Sequence, residues 1–154
     1  MATLEKAIFI AVKAHQGQKD KADDPYILHP LRVMLRMASE TEMIAAVLHD
    51  IEEDTEWTTA DLRREGFSEE VSELVDCLTR REQESYEEFI ERVKLNPTAR
   101  KVKLADLEDN MDIKRISEPT EKDWERLKKY HRAWLRLKQC REETELHHTL
   151  SESE

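Results

Sequence analysis

Glycine occurs twice and proline four times in 154 residues, so the tight turns that antiparallel sheets require are nearly missing. The two cysteines, Cys77 and Cys140, form no CxxC pair and no metal-ligand spacing, which excludes a disulfide framework and leaves two ordinary reduced thiols. No apolar run approaches the length of a membrane span. The stretch from Met1 to His15 interrupts its apolar residues with Glu5, Lys6 and Lys13, unlike a signal peptide, so the cytoplasm is the expected location. An excess of basic charge is also lacking: 35 Asp and Glu against 25 Lys and Arg give a net charge of -10. Nonspecific binding to nucleic acid or an anionic membrane rests on Lys and Arg, so neither partner is expected. A small anionic substrate remains compatible if a metal or a local basic patch meets it.

What is present reads as helix. Charged residues make up 39% of the chain, yet apolar residues recur between them at helical spacing, as on solvated helix faces over a shared core. The length suits one domain. Leu4, Ala7, Ile8, Ala11 and Val12 mark a first amphipathic helix ending near Gly17. A charged loop from Gln18 to Pro25 follows, and Pro30 fits the first turn of a second helix reaching about Met37. The segment from Glu42 to Asp54 is the least polar helix and is expected at the centre. Thr58 with Asp61, Ser85 with Glu88 and Thr120 with Asp123 have capping-box spacing, Ser68 precedes two Glu, and Asn96 precedes Pro97. The last helix is expected from Thr120 to about Arg141, packing through Leu127, Tyr130, Trp134 and Leu137. The expectation is an all-α, single-domain bundle of about eight helices over residues 1–145, with a polar, frayed tail at 146–154 whose His147 and His148 are solvated.

His49-Asp50 lies at the end of the apolar central segment. Alone, such a His is ordinarily a core histidine bonded to a carbonyl, and such an Asp a helix-end charge. Glu53 and Asp54 follow each by four residues, however, so four ionisable groups share one helix end. Acids at a helix C-terminus oppose the macrodipole, and carboxylates packed against apolar surface repel one another; a bound divalent cation is the simplest compensation. His29 opens the second helix. Asp106 sits within the apolar Val102-Lys103-Leu104-Ala105 run and needs a partner, and Asn110 falls one turn later.

The segments Ala14-His15-Gln16-Gly17-Gln18, Pro25-Tyr26-Ile27-Leu28-His29-Pro30, Leu48-His49-Asp50-Ile51-Glu52-Glu53-Asp54-Thr55 and Lys103-Leu104-Ala105-Asp106 to Asn110-Met111 resemble, in that order, the hydrolase motifs of the RelA/SpoT homologue family. The resemblance covers about Ala7 to Ile116 and is nearest to the stand-alone small alarmone hydrolases, which have an HD-type helical fold. It implies that His29, His49, Asp50 and Asp106 bind one divalent ion, usually manganese, and that Glu53 and Asp54 are the catalytic acidic pair. The implied reaction removes the 3′-pyrophosphate of ppGpp or pppGpp, giving GDP or GTP and pyrophosphate. By the same resemblance Asn110 lines the nucleotide site and Lys21 lies near the substrate phosphates. Tyr86 and Lys103 are weaker substrate contacts, since such a Tyr is more often a helix-start packing residue and such a Lys more often a solvated one.

The departures bear on the base. Where the long family members carry an Arg that packs on guanine, this chain has Asp20, and a nearby Gly position is Asp23. After the fourth-motif Asp, a basic residue is replaced by Leu107, and a His or Tyr by Asp109. The expectation is a preserved metal side and a rebuilt nucleotide side. Adenine counterparts such as ppApp therefore stay open as substrates, as do another HD phosphohydrolase activity, on NADPH or nucleoside monophosphates, and a noncatalytic nucleotide-binding regulator. No length is expected to remain for a synthetase domain, and the sequence does not give the oligomeric state.

Overall fold

In the computed structural model the backbone of residues 1–151 and the side chains of residues 1–139 are described. Nine α-helices and one 3-10 turn, with no strand, are found among the described residues. The helices are α1 Leu4–Ala14, α2 Leu28–Met34, α3 Glu40–Leu48, α4 Ile51–Asp54, α5 Thr59–Arg64, α6 Glu69–Leu78, α7 Tyr86–Lys94, α8 Pro97–Asn110 and α9 Glu121–Ser151, with the 3-10 turn at Ile113–Arg115.

Local chemistry sets most of the starts. Thr58 and Ser85 form reciprocal capping boxes with Asp61 and Glu88. Thr120 and Asp123 bond each other's backbone in the same way. Ser68 accepts from the Val71 amide, and Asn96 accepts from Thr98 and Ala99 ahead of Pro97. Each such cap satisfies amides that a helix start leaves unpaired and contributes about 1 kcal/mol. After α1 the chain turns through Gly17 at φ 81°, a left-handed conformation that glycine adopts without strain.

Several boundaries differ from the sequence reading, and α2 stops at Met34, short of the expected Met37. The expected helix from Glu42 to Asp54 begins two residues earlier, at Glu40, because Ser39 and Glu42 form a capping box. It then breaks at His49-Asp50 into α3 and α4. The His49 ring bonds back to the Ala46 carbonyl at 2.6 Å, taking the acceptor that would continue the ladder, and Asp50 leaves helical geometry at φ −100°, ψ 0°. Helix α9 continues to Ser151, past the expected end near Arg141. Residues 146–151 of the expected tail are thus helical in backbone, while the side chains of Cys140, His147 and His148 and residues 152–154 lie outside the described residues.

The core forms around α3, whose Ile44, Ala45, Ala46, Val47 and Leu48 are all buried. Helices α1, α2, α6 and α8 pack on it. Val33 and Val102 from α2 and α8 are fully buried beside it, and Leu137 of α9 is fully buried elsewhere in the core. Full burial of such aliphatic side chains stabilises by roughly 1.5 to 3 kcal/mol each. The consequence for function is positional: the end of α3 is held between α2 and α8.

Candidate metal centre and active-site cavity

Three separate stretches meet at the end of α3. His29 comes from the first turn of α2, His49 and Asp50 from the break between α3 and α4, and Asp106 from the middle of α8. One ligand atom from each lies within 4.8 Å of all the others. His29 Nε2 is 3.1 Å from Asp106 Oδ1 and 3.4 Å from Asp50 Oδ2, and His49 Nε2 is 3.0 Å from Asp50 Oδ2 and 3.4 Å from Asp106 Oδ1. Both imidazoles and Asp106 are buried.

The outward sides of these groups are fixed. His29 Nδ1 is 2.6 Å from Asp109 Oδ2, and His49 Nδ1 is 2.6 Å from the Ala46 carbonyl. The Tyr26 hydroxyl donates to Asp50. Asp106 accepts from Asn110 Nδ2 and from Lys103 Nζ, each at 2.7 Å. With Nδ1 donating backwards, each Nε2 presents its lone pair to the cluster, and both Nε2 atoms are buried without a hydrogen bond. Histidines held in this way by outer partners are suited to hold a metal, and two imidazoles with two carboxylates suit a divalent transition ion.

The electrostatics point the same way. Burial alone would push the imidazolium of His29 down, yet Asp106, Asp109 and Asp50 push it up to about 11. Against the same burial penalty, Asp50 and Asp106 push His49 up to about 10. Burial opposes ionisation of Asp50 and Asp106, but the histidines, and Lys103 beside Asp106, hold both carboxyls well below the usual range. The cluster therefore calls for positive charge at its centre, which a divalent ion supplies without two added protons.

The centre opens into a cavity of about 690 Å³. Glu53 and Asp54 line it from α4, and burial followed by the charge of Asp50 pushes both carboxyls up, although the Arg80 amide opposes this for Glu53. Glu53 Oε1 accepts that amide at 2.6 Å, and the Asp54 carbonyl accepts from Gln18 Nε2 at 2.9 Å. Lys21, Tyr86, Lys103 and Asn110 also line the cavity, so the structure brings together every site residue expected from the sequence. Lys103 is not a solvated lysine: its half-buried side chain pairs with Asp106, and its ammonium lies over Phe89. The Tyr86 hydroxyl is buried without a hydrogen bond.

The rebuilt nucleotide side needs correction. Leu107 is fully buried in the core, and Asp109 stands behind His29, where Arg32 donates to it from Nε at 2.7 Å and from Nη2 at 3.0 Å. Neither residue lines the cavity. Sequence reasoning also missed Arg80 from the loop after α6 and Arg126, Lys129 and Tyr130 of α9, all of which line it. Burial, then Arg80, Arg126 and Lys103, push the Lys129 ammonium down, which records how closely these cations converge. Their available signal was the three-to-four-residue spacing of Arg126, Lys129 and Tyr130 on one helix face. Read as a packing stripe, that face gave no sign that it closes a cavity.

The bundle thus gathers two histidines and two aspartates at a helix break, beside two carboxylates and a basic wall. Residues 7–129 match the family model described as HD domain, and the chain belongs to that family. It is 34% identical over 120 residues to the guanosine-3′,5′-bis(diphosphate) 3′-pyrophosphohydrolase of Aquifex aeolicus, covering 70% of this chain and 17% of that protein. It is 36% identical over 121 residues to the GTP pyrophosphokinase of Streptomyces antibioticus, covering 70% of this chain and 14% of that protein. The chain thus spans less than a fifth of the length of these relatives. Its fold is similar to a solved structure described as a metazoan ortholog of SpoT that hydrolyses ppGpp, at a TM-score of 0.75 and 24% identity, covering 89% of this chain and 85% of that one. No helix among the described residues is long and apolar enough to cross a membrane.

Proposed function

We propose that this protein is a metal-dependent pyrophosphohydrolase that removes the 3′-pyrophosphate of guanosine alarmones, ppGpp or pppGpp, leaving GDP or GTP. The observation that carries the reading is the four-residue centre with its outer partners complete, opening on Glu53 and Asp54. His29, His49, Asp50 and Asp106 hold the ion, with manganese as the first expectation. When bound, such an ion supplies Lewis acidity toward phosphate oxygens and lowers the pKa of water.

The remaining work falls to the protein. Glu53 and Asp54, whose carboxyls are shifted toward neutrality, accept the proton of the attacking water and orient it. The water oxygen forms a bond to phosphorus, the bond from phosphorus to the ribose 3′-oxygen breaks, and that oxygen takes up a proton as pyrophosphate departs. Asn110 and Lys103 hold Asp106 in place, and Lys21 meets the substrate at the loop. Arg80, Arg126 and Lys129, with Tyr86 and Tyr130, take the phosphates at the other substituted position of the ribose, which reconciles an acidic chain with a polyanionic substrate.

Adenine counterparts are a second reading, favoured by one observation: Asp20 stands where an Arg would pack on guanine. Purified protein supplied with manganese is expected to release pyrophosphate from ppGpp, ppApp or both. His49→Ala should lose metal binding and turnover together. Orthophosphate as the product, or no product from either nucleotide, would overturn the proposal.

A further inference from the structure

The metal centre accounts for the floor of the cavity and the Arg80, Arg126 and Lys129 cluster for one wall. A separate wall is built by the loop after α1 and the 3-10 turn after α8, and Arg115 lines it. Two partners distant in sequence hold this side chain: Nη1 donates to Asp20 Oδ2 at 2.9 Å, and Nη2 donates to the Asp109 carbonyl at 3.1 Å. Asp20 is itself immobilised, since its Oδ1 accepts the amides of Ala22 and Asp24 at 2.8 and 3.1 Å. Guanidinium donors lie in the plane of the group, so these two bonds fix that plane. The Nε atom is buried without a hydrogen bond, and the side chain is 26% exposed. Arg115 lines the cavity together with Ala22 and Ile116, so a planar cation braced from two sides stands at this wall.

Among the aromatic residues of the cavity, Tyr26 packs against His15 and His29 and donates to Asp50, and three others carry a cation over the ring. The ammonium of Lys129 sits 4.5 Å from the Tyr86 ring centroid and 5.3 Å from that of Tyr130, while Lys103 is 5.0 Å from that of Phe89. Those rings are covered by cations suited to phosphate. Arg115 offers a nucleobase brought to this cavity a planar cationic group.

Resting on the proposed hydrolase reading for the substrate class, we propose that Arg115 is the platform on which the nucleobase stacks, and that it accepts guanine and adenine alike. Stacking is tolerant of base identity because every base has a π-face, and two of the Arg115 donors are already engaged by the protein. Asp20 is a positioning residue that holds the platform.

The test is calorimetric binding to metal-supplemented protein of guanosine 3′,5′-bisphosphate, adenosine 3′,5′-bisphosphate and inorganic pyrophosphate. Arg115→Ala should weaken both nucleotides by about 10- to 100-fold, equally for the two bases, and leave pyrophosphate affinity unchanged. Arg115→Lys, which keeps the charge but loses the plane, should behave like Arg115→Ala, and Asp20→Asn should show a smaller loss of the same pattern. Unchanged pyrophosphate affinity also reports that the variants are folded. The proposal is overturned if Arg115→Lys restores nucleotide binding, if pyrophosphate weakens in parallel, if one base alone is affected, or if the wild-type protein binds the nucleotides no tighter than pyrophosphate. Pyrophosphate release from ppGpp by the wild-type protein scores the hydrolase reading separately. Binding through Arg115 without release would sink hydrolysis and keep the platform, whereas release with an unaltered KM in Arg115→Ala would sink the platform alone.

Discussion

At the scale of the residue, Asp109 shows how a substitution that looks like a loss can be a relocation of function. Its carboxylate is shared between His29 and Arg32, and burial is outweighed by the hydrogen bonds from these two neighbours, which hold its carboxyl down. Outer-shell partners of this kind fix the tautomer of a metal-binding histidine and raise its basicity, and their loss typically lowers metal affinity by about 10- to 100-fold. Asp109→Asn is therefore expected to bind manganese 10- to 100-fold more weakly by calorimetry while keeping its helical circular dichroism; an unchanged affinity would remove Asp109 from the account. Sequence could place Asp109 one turn from Asp106 but not say which way it faced. Helix α8 is buried on several sides, with Val102, Leu104, Asp106, Leu107 and Asp109 all inside, so the usual contrast between a wet and a dry face gives no bearing. His29, His49, Asp50 and Asp106 were legible because their residue types occur in ordered motifs, whereas Arg115 and Arg80 look like any surface arginine until the chain is folded.

At the scale of the element, the segment between α6 and α7 carries the Arg80 amide to Glu53, and Arg92 of α7 holds that segment in shape. Its guanidinium donates to the Cys77 carbonyl at 2.9 Å, to the Thr79 carbonyl at 2.8 Å, and to Glu84 at 2.7 and 2.9 Å. Replacing it leaves two carbonyls and a carboxylate without their donor, so Arg92→Ala should lower stability to urea by about 2 to 4 kcal/mol. The hydrogen bonds from Arg92 hold the Glu84 carboxyl at about 2, against an ordinary value of 4.5. A carboxyl depressed on folding stabilises fully above its unfolded value, and that contribution fades as pH falls from 4.5 toward 2. The wild-type urea midpoint should accordingly drop more steeply than that of Glu84→Gln in this window, and parallel curves would show that the pair contributes nothing. Helix starts were the most readable elements, because a cap is a local pattern of a hydroxyl, amide or carboxylate beside an acidic first turn. The break at His49-Asp50 was not readable, since a His ring that captures the carbonyl three residues back leaves no mark in hydrophobic periodicity.

At the scale of the whole molecule, the bundle brings its chemistry together by packing α2 and α8 against the end of α3 and laying α9 along α7 and α8. The all-helical architecture and the metal side follow from short patterns along the chain. The basic wall of Arg80, Arg126 and Lys129 depends on contacts between helices far apart in sequence, and so emerges only in three dimensions. Its effect is to give a protein of net charge -10 one local region that attracts anions. Everything downstream, from the shifted carboxyls of Glu53 and Asp54 to the platform at Arg115, is arranged around the cluster of His29, His49, Asp50 and Asp106. Crystals grown with manganese and measured at its absorption edge test that cluster directly. One anomalous peak is expected there, at roughly 2.0 to 2.3 Å from His29 Nε2, His49 Nε2 and an oxygen of each aspartate. An empty cluster at saturating manganese, or a peak elsewhere in the chain, would contradict the account.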